Sequence, residues 1–368
     1  MSAHTVGPVL IVGTGLLGAS IGLALSAEGV DVQLSDTSPA AEALARDVGA
    51  GAIRTESSPT PTLVVVAAPP DVTASVVADQ LERFPHATVT DVASVKSIIA
   101  EELAAHGADC TRYVGSHPMA GRERSGAAAA DADLFRRRPW VIAPVDKSGE
   151  RARRDVLSLA LDVGAMPLDY RAEDHDAAVA CVSHVPQLVS SLLASRLTGV
   201  PDHALSLAGQ GLRDMTRIAH SDPRLWASIV AGNSKEIAAV LEDFQADLAS
   251  LVASLRESKG NPLSPGLVGE VTRVLQAGNE GVDRIPGKHG GAPRRYAEVS
   301  VLVPDSPGEL GRLFGDLGRI DVNIEDFSLE HSAGAPVGVA RLQIDPSRSE
   351  NARIELARLG WTVLDGGL

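Results

Sequence analysis

The chain has 368 residues, 44% of them hydrophobic but only 3% aromatic, and a formal net charge of −14; that length exceeds one ordinary core and asks for two or three domains. The charge argues against a nucleic-acid binder, because affinity for a phosphate backbone comes from clustered Lys and Arg that release counterions. The only basic clusters, Arg136 to Arg138 and Arg151 to Arg154, read as solvated faces.

The apolar start is broken by glycines and holds no Lys or Arg before Arg46, unlike a signal peptide. No long uninterrupted apolar run suggests a membrane span. Cys110 and Cys181 supply neither a disulfide framework nor a CxxC zinc pattern, so a cytoplasmic protein without a metal is expected.

Residues 1–170 alternate short β-branched runs with helical patterns, which predicts βαβ units and a parallel sheet. The strands are "VLIVG", "VDVQLSD", "TLVVVAAPP", "ATVTDVAS", "RYVGS" and "PWVIAPV"; "VTASVVADQLERF" and "SIIAEELAAHG" have helical spacing. In "VLIVGTGLLGAS", Gly13, Gly15 and Gly18 form GxGxxG between a strand and a helix. There the glycines allow a tight turn, approach of a pyrophosphate and close helix packing. Asp36 ends the next strand, at the distance of an acid that binds a ribose 2′-hydroxyl. Because it also repels a 2′-phosphate, the cofactor predicted for this Rossmann-type domain is NAD rather than NADP.

Two further motifs, "TDVASVK" and "YVGSHPMAG", fall at carboxyl ends of predicted strands, where open α/β sheets bind ligands. They carry Ser94 and His117. A histidine there can take the proton of a hydroxyl as its carbon gives up hydride, a role worth roughly 10² to 10⁴ in rate. The alternative is a ring that only hydrogen-bonds its own turn before Pro118.

Residues 171–287 read as an all-helical domain. "EIAAVLEDFQADLASLVASL" places Ile237, Val240, Leu241, Phe244, Leu248, Leu251 and Leu255 at spacings of three and four, a long amphipathic helix. Its stripe fits internal core or a dimer seam, with core as the default. In "GLRDMTRIAHSDPRLW", Arg213 and Arg217 share one face if the segment is helical, giving either a carboxylate receptor or a surface cluster with Asp214. "SDP" reads as a helix start, with Asp222 as N-cap and Pro223 after it. "CVSHVPQLVSSLL" brings Ser183, His184 and Gln187 into an apolar helix, as pocket lining or as satisfied core contacts.

A Gly- and Pro-rich connector precedes residues 296–368, which read as strand, helix, strand, strand, helix, strand. That order fits a small α+β ferredoxin-like unit.

Taken together, "GTGLLGAS", "DVASVK", "SHPMAGRERSG", "SHVPQ" and "RDMTRIAHSDPRLW" resemble the prephenate/arogenate dehydrogenases of tyrosine biosynthesis over about residues 9 to 285. The resemblance implies that Gly13, Gly15, Gly18 and Asp36 bind NAD, that Ser94 and His117 engage the ring hydroxyl of the substrate, and that Arg217 clamps a carboxylate. It places Ser183 and Arg213 near the substrate and makes Glu123 a loop acid in a gating ion pair. The implied reaction is oxidative decarboxylation of prephenate to 4-hydroxyphenylpyruvate. Where many prephenate-specific members carry a second histidine, this chain has Gln187, which leaves arogenate open as substrate. A homodimer through the helical block is expected.

The C-terminal "EVSVLVPDSPGELGRLFGDLGRIDVNIEDFSLEHS" resembles an ACT domain, with Asp305, Gly308, Asn323 and Ile324 in the ligand-contact region. The resemblance implies sensing of an aromatic amino acid, most simply tyrosine; the alternative is a domain that only dimerises or stabilises. Two other classes compete with the enzyme. A β-hydroxyacid dehydrogenase needs a lysine with an asparagine one helical turn on, but Lys235 is followed by Ala239. A non-catalytic amino-acid-responsive protein would have no use for His117 and Arg217.

Overall fold

The computed structural model describes residues 3–122, 126–258, 261, 263–286, 296–331 and 336–364. They form two compact units, one of Met1–Val200 with Met215–Phe244, the other of Pro201–Asp214 with Gln245–Leu368.

In the first unit the chain runs through β1 (Val9–Val12), α1 (Leu16–Ala27), β2 (Val32–Ser35), α2 (Pro39–Asp47), β3 (Ala52–Ile53), β4 (Leu63–Val66) and α3 (Pro70–Arg83). It continues through β5 (Thr88–Asp91), α4 (Ser97–Ala105), β6 (Tyr113–Pro118), β7 (Pro139–Ala143), α5 (Glu150–Asp162) and β8 (Met166–Asp169). The strands make one sheet in the order β3-β2-β1-β4-β5-β6-β7-β8. Strand order reverses between β1 and β4, the switch point where such sheets bind ligands. β1 shows why both faces are covered: Val9 and Ile11 enter one buried cluster and Leu10 the other, as a period of two dictates.

All six predicted strands form, but the sheet is not wholly parallel: β7 runs antiparallel to β6, with His117 opposite Val141. Among the described residues the β6–β7 connection holds only the 3₁₀ turn Ala127–Ala129. Without a crossover helix the chain returns beside the strand it left. β3 and β8 are edge strands that the sequence patterns did not announce.

The helical stretch follows as α6 (Ala172–Val179), a π-helical turn (Ala180–His184), α7 (Val185–Ser195), α8 (Asp202–Leu205), α9 (Gln210–Thr216), a 3₁₀ turn (Arg217–Ala219), α10 (Pro223–Gly232), α11 (Ser234–Glu257) and α12 (Pro265–Val282). Asp222 caps α10 as expected, accepting from the Arg224 amide at 2.9 Å. Ala172–Gly199 is long and apolar enough to cross a membrane by composition. Yet it buries His175, Asp176 and His184, and its Asp176 is hydrogen-bonded to the start of α4.

The default reading of α11 as core is corrected. Ile237 is buried with Ala180 and Val185, but Phe244, Leu248 and Leu255 are 48%, 50% and 51% exposed. The stripe outruns the core available within one chain.

In the second unit, β9 (Ala297–Pro304), α13 (Glu309–Arg319), β10 (Ile324–His331), β11 (Val337–Ile344), α14 (Pro346–Arg358) and β12 (Thr362–Leu364) build an antiparallel sheet in the order β10-β11-β9-β12. This is the ferredoxin-like arrangement. Val299, Val301 and Val303 of β9 pack with Leu313 and Leu317 of α13 and with Leu356 of α14.

Candidate active site

The glycines divide their work as the motif requires. Gly13 has φ +97°, and a Cβ there would stand 2.4 Å from the Ala67 carbonyl oxygen; at Gly18 it would stand 1.9 Å from the Gly13 oxygen. Both positions are closed by backbone. At Gly15 a Cβ would meet nothing within 4 Å, which is the open approach a pyrophosphate needs. Asp36 Oδ2 accepts from the Thr14 amide at 2.6 Å and the Thr14 hydroxyl at 2.8 Å, and Oδ1 from the Ser38 amide at 2.8 Å. Partial burial pushes this carboxyl up, but the hydrogen bonds from Thr14 and Ser38 together outweigh it and hold it below the usual carboxylate range. An ionised carboxylate at the end of β2 can accept from a ribose hydroxyl. These residues fit NAD.

Ser94 lies half-buried in the bend after β5, and His117 near the end of β6. The β5–β6 register ends at Asp91 with Gly115, so both residues project beyond the carboxyl end of β5, on the side of the glycine turn. Below them is a buried ionic cluster. Asp91 pairs with Lys96 and accepts from the Tyr113 hydroxyl at 2.7 Å and the Ala93 amide at 2.9 Å. Breaking such a buried pair by removing one partner costs about 3–5 kcal/mol.

His117 is 9% exposed. Burial, followed by the nearby His175, Lys96 and His184, pushes it well below the usual histidine range. The ring is therefore neutral at pH 7. It also does more than serve its own loop: Nδ1 stands 2.9 Å from His175 Nε2. His175 Nδ1 is in turn 2.8 Å from Asp176 Oδ1, and Asp176 accepts from the amides of Lys96 at 2.9 Å and Ser97 at 2.7 Å. Asn233 donates to the Asp176 carbonyl at 2.8 Å and lies 3.1 Å from His184 Nδ1. Burial lowers His184 to about 4, against the opposing pull of Asp176. The sequence patterns left His175, Asp176, Lys96 and Asn233 without a role.

Ser183 sits half-buried in the π-helical turn, a local widening frequent at functional sites. Gln187 is buried and donates to the Ser221 hydroxyl at 2.7 Å, while the Ser190 hydroxyl donates to the Met215 carbonyl at 2.8 Å. These bonds fasten α7 to the segment carrying Arg217. The expected shared helical face of Arg213 and Arg217 is corrected: α9 ends at Thr216, Arg217 opens a 3₁₀ turn, and both side chains are exposed. Asp214 is bonded to Gln210 at 2.7 Å. Glu123 lies outside the described residues. Lys235 is exposed and paired with Glu236 at 3.3 Å, unlike a catalytic lysine.

In the C-terminal sheet, Gly308 precedes α13 with φ +93° and Asn323 donates to Glu325 at 2.7 Å. The register pairs Pro304 with Val337 but Ile324 with Ile344. Asp305 and Gly308 thus lie at one end of the sheet and Asn323 and Ile324 at the other, roughly 24 Å apart along eight-residue strands.

A dinucleotide cradle, a buried histidine at the same edge of the sheet and a helical segment hydrogen-bonded to that histidine define an NAD-dependent oxidoreductase. A family model of the prephenate dehydrogenase nucleotide-binding domain matches residues 21–167, and one of the prephenate dehydrogenase dimerization domain matches residues 171–268. The chain belongs to the prephenate dehydrogenase family.

It is 37% identical to "Probable prephenate dehydrogenase NovF" of Streptomyces niveus, over 96% of this chain and 98% of that protein. It is 24% identical to the prephenate dehydrogenase of Bacillus subtilis, over 91% of each. Among solved structures, it resembles the Aquifex aeolicus prephenate dehydrogenase in complex with hydroxyphenyl propionate and NAD+ (TM-score 0.63, 28% identity, 74% of this chain and 97% of that one). It also resembles the Synechocystis arogenate dehydrogenase (TM-score 0.60, 25% identity, 75% of this chain and 99% of that one).

Proposed function

We propose that the chain oxidatively decarboxylates prephenate to 4-hydroxyphenylpyruvate, with His117 as the base. The observation that carries this reading is His117, buried and held beyond the sheet's carboxyl edge on the side of the NAD cradle. NAD, when bound, supplies the hydride acceptor. His117 Nε2 takes the proton of the ring hydroxyl, and Ser94 orients that hydroxyl by a hydrogen bond. The carboxylate lost as CO₂ leaves an aromatic ring, so the protein has to supply alignment, a proton acceptor and carboxylate recognition.

Arg217 clamps a substrate carboxylate, with Ser183 and Gln187 lining the approach. A charge-assisted bond of this kind contributes about 1.5–3 kcal/mol. Gln187 can face a keto group as donor or an ammonium as acceptor, so arogenate is the second reading.

The domains are 1–170, 171–287 and 296–368, and the enzyme is a cytoplasmic homodimer joined through the helical block. The exposed stripe of α11 and the match to a dimerization domain support this. The last domain is an ACT-like sensor of tyrosine using Asp305, Gly308, Asn323 and Ile324. Because these lie at opposite ends of one sheet, a single effector touching both sets needs two copies of the domain.

The test separates chemistry from binding. His117→Asn is expected to lower kcat by roughly 10² or more with KM little changed, whereas Arg217→Ala is expected mainly to raise KM. Near-native turnover in His117→Asn would return the histidine to its loop.

A further inference from the structure

We propose that His175 is a positioning residue: bonded to Asp176 on one side and His117 on the other, it fixes the tautomer that leaves His117 Nε2 bare to take the substrate proton. The inference rests on the reading of His117 as the base.

The argument follows the hydrogen bonds inward from α4. The Asp176 carboxylate receives the amides of Lys96 and Ser97 at the start of that helix. Burial pushes its carboxyl up, but the bonds from His175, Ser97 and Lys96 outweigh it and keep the group ionised. An ionised carboxylate only accepts. His175 Nδ1, 2.8 Å away, must therefore carry a proton, and where that is the ring's one proton Nε2 presents a lone pair. His117 Nδ1, 2.9 Å from that lone pair, must donate. The remaining nitrogen of His117 is left as an acceptor.

When Nε2 takes the substrate proton, the imidazolium keeps its Nδ1–H on His175, with the Asp176 charge one ring further back. Among the described residues, the other charged or titratable groups around this network are Lys96, held by Asp91, and His184, held by Asn233. Asn233 also bonds the Asp176 carbonyl, so α6 cannot rotate its two polar residues away. A base histidine in the wrong tautomer is present but inactive, which makes its orienting partner worth a large factor in rate.

The full-length enzyme is compared with His175→Leu, His175→Gln and His117→Asn, each assayed for kcat, KM and NAD affinity. Leu fills space without an acceptor, whereas the Gln amide oxygen can receive the Nδ1 proton. His175→Leu is expected to lose roughly 10- to 100-fold in kcat with KM and NAD affinity unchanged, and His175→Gln to recover most of it. Equal losses in Leu and Gln, or none in either while His117→Asn is inactive, overturn the proposal and leave the base reading intact. Native turnover in His117→Asn overturns both. Nitrogen-15 spectra of the unsubstituted enzyme give a check that needs no variant: the proton is expected on His117 Nδ1, and finding it on Nε2 overturns the proposal.

Discussion

His117 and His184 are buried where a charged imidazolium is disfavoured, and this has a consequence for stability. The folded value of His184 is about 4, against an ordinary 6.5. Between these values the unfolded chain binds a proton that the folded chain refuses, so stability falls as pH drops from about 6.5 to about 4. His117 acts in the same direction. Asp36 and Asp176, held below their ordinary value of 3.8, stabilise the fold above that pH and lose this contribution only below it. The urea midpoint should therefore drop between pH 7 and pH 5, and drop less in His184→Gln; equal drops would contradict this assignment. At this scale Gly13, Gly15, Gly18, Asp36 and His117 were legible because each motif names its residue. His175 and Asp176 were not, since nothing local marks which polar residues of a helix turn inward.

At the level of elements the hidden signal becomes visible. His175, Asp176, Val179, Ala180, His184 and Gln187 are all buried and recur at the spacing of an apolar helical face, with polar residues in four of the six places. A stripe with helical period whose members are polar is the mark of a buried network. The π-helical turn at Ala180–His184 shifts that stripe within one element, which simple periodicity does not foresee. α11 shows the opposite case: its period was plain, but what it packs against was not. Covering half-exposed Phe244, Leu248 and Leu255 with a partner chain contributes on the order of 1 kcal/mol each. Phe244→Asp combined with Leu248→Asp is expected to convert the proposed dimer to monomer in sedimentation velocity, and an oligomeric state unchanged by the pair would contradict the seam.

For the whole molecule, the carboxyl-edge rule pointed to Ser94 and His117 before any contact was known, and both lie beyond the carboxyl end of β5. The parallel sheet expected from βαβ alternation failed at the β6–β7 pair, so that β7, and β8 parallel to it, run against the other strands. The C-terminal order of elements was also legible, but the separation of Asp305 and Gly308 from Asn323 and Ile324 needed the register. That the cradle, the base and the helical segment serve one reaction is best tested by initial rates of reduced-cofactor formation, with prephenate and arogenate each offered with NAD and NADP. The expected result is turnover of prephenate with NAD, weak use of NADP because Asp36 repels its 2′-phosphate, and inhibition by tyrosine. No turnover of prephenate with NAD, alongside native-like folding, would contradict the account.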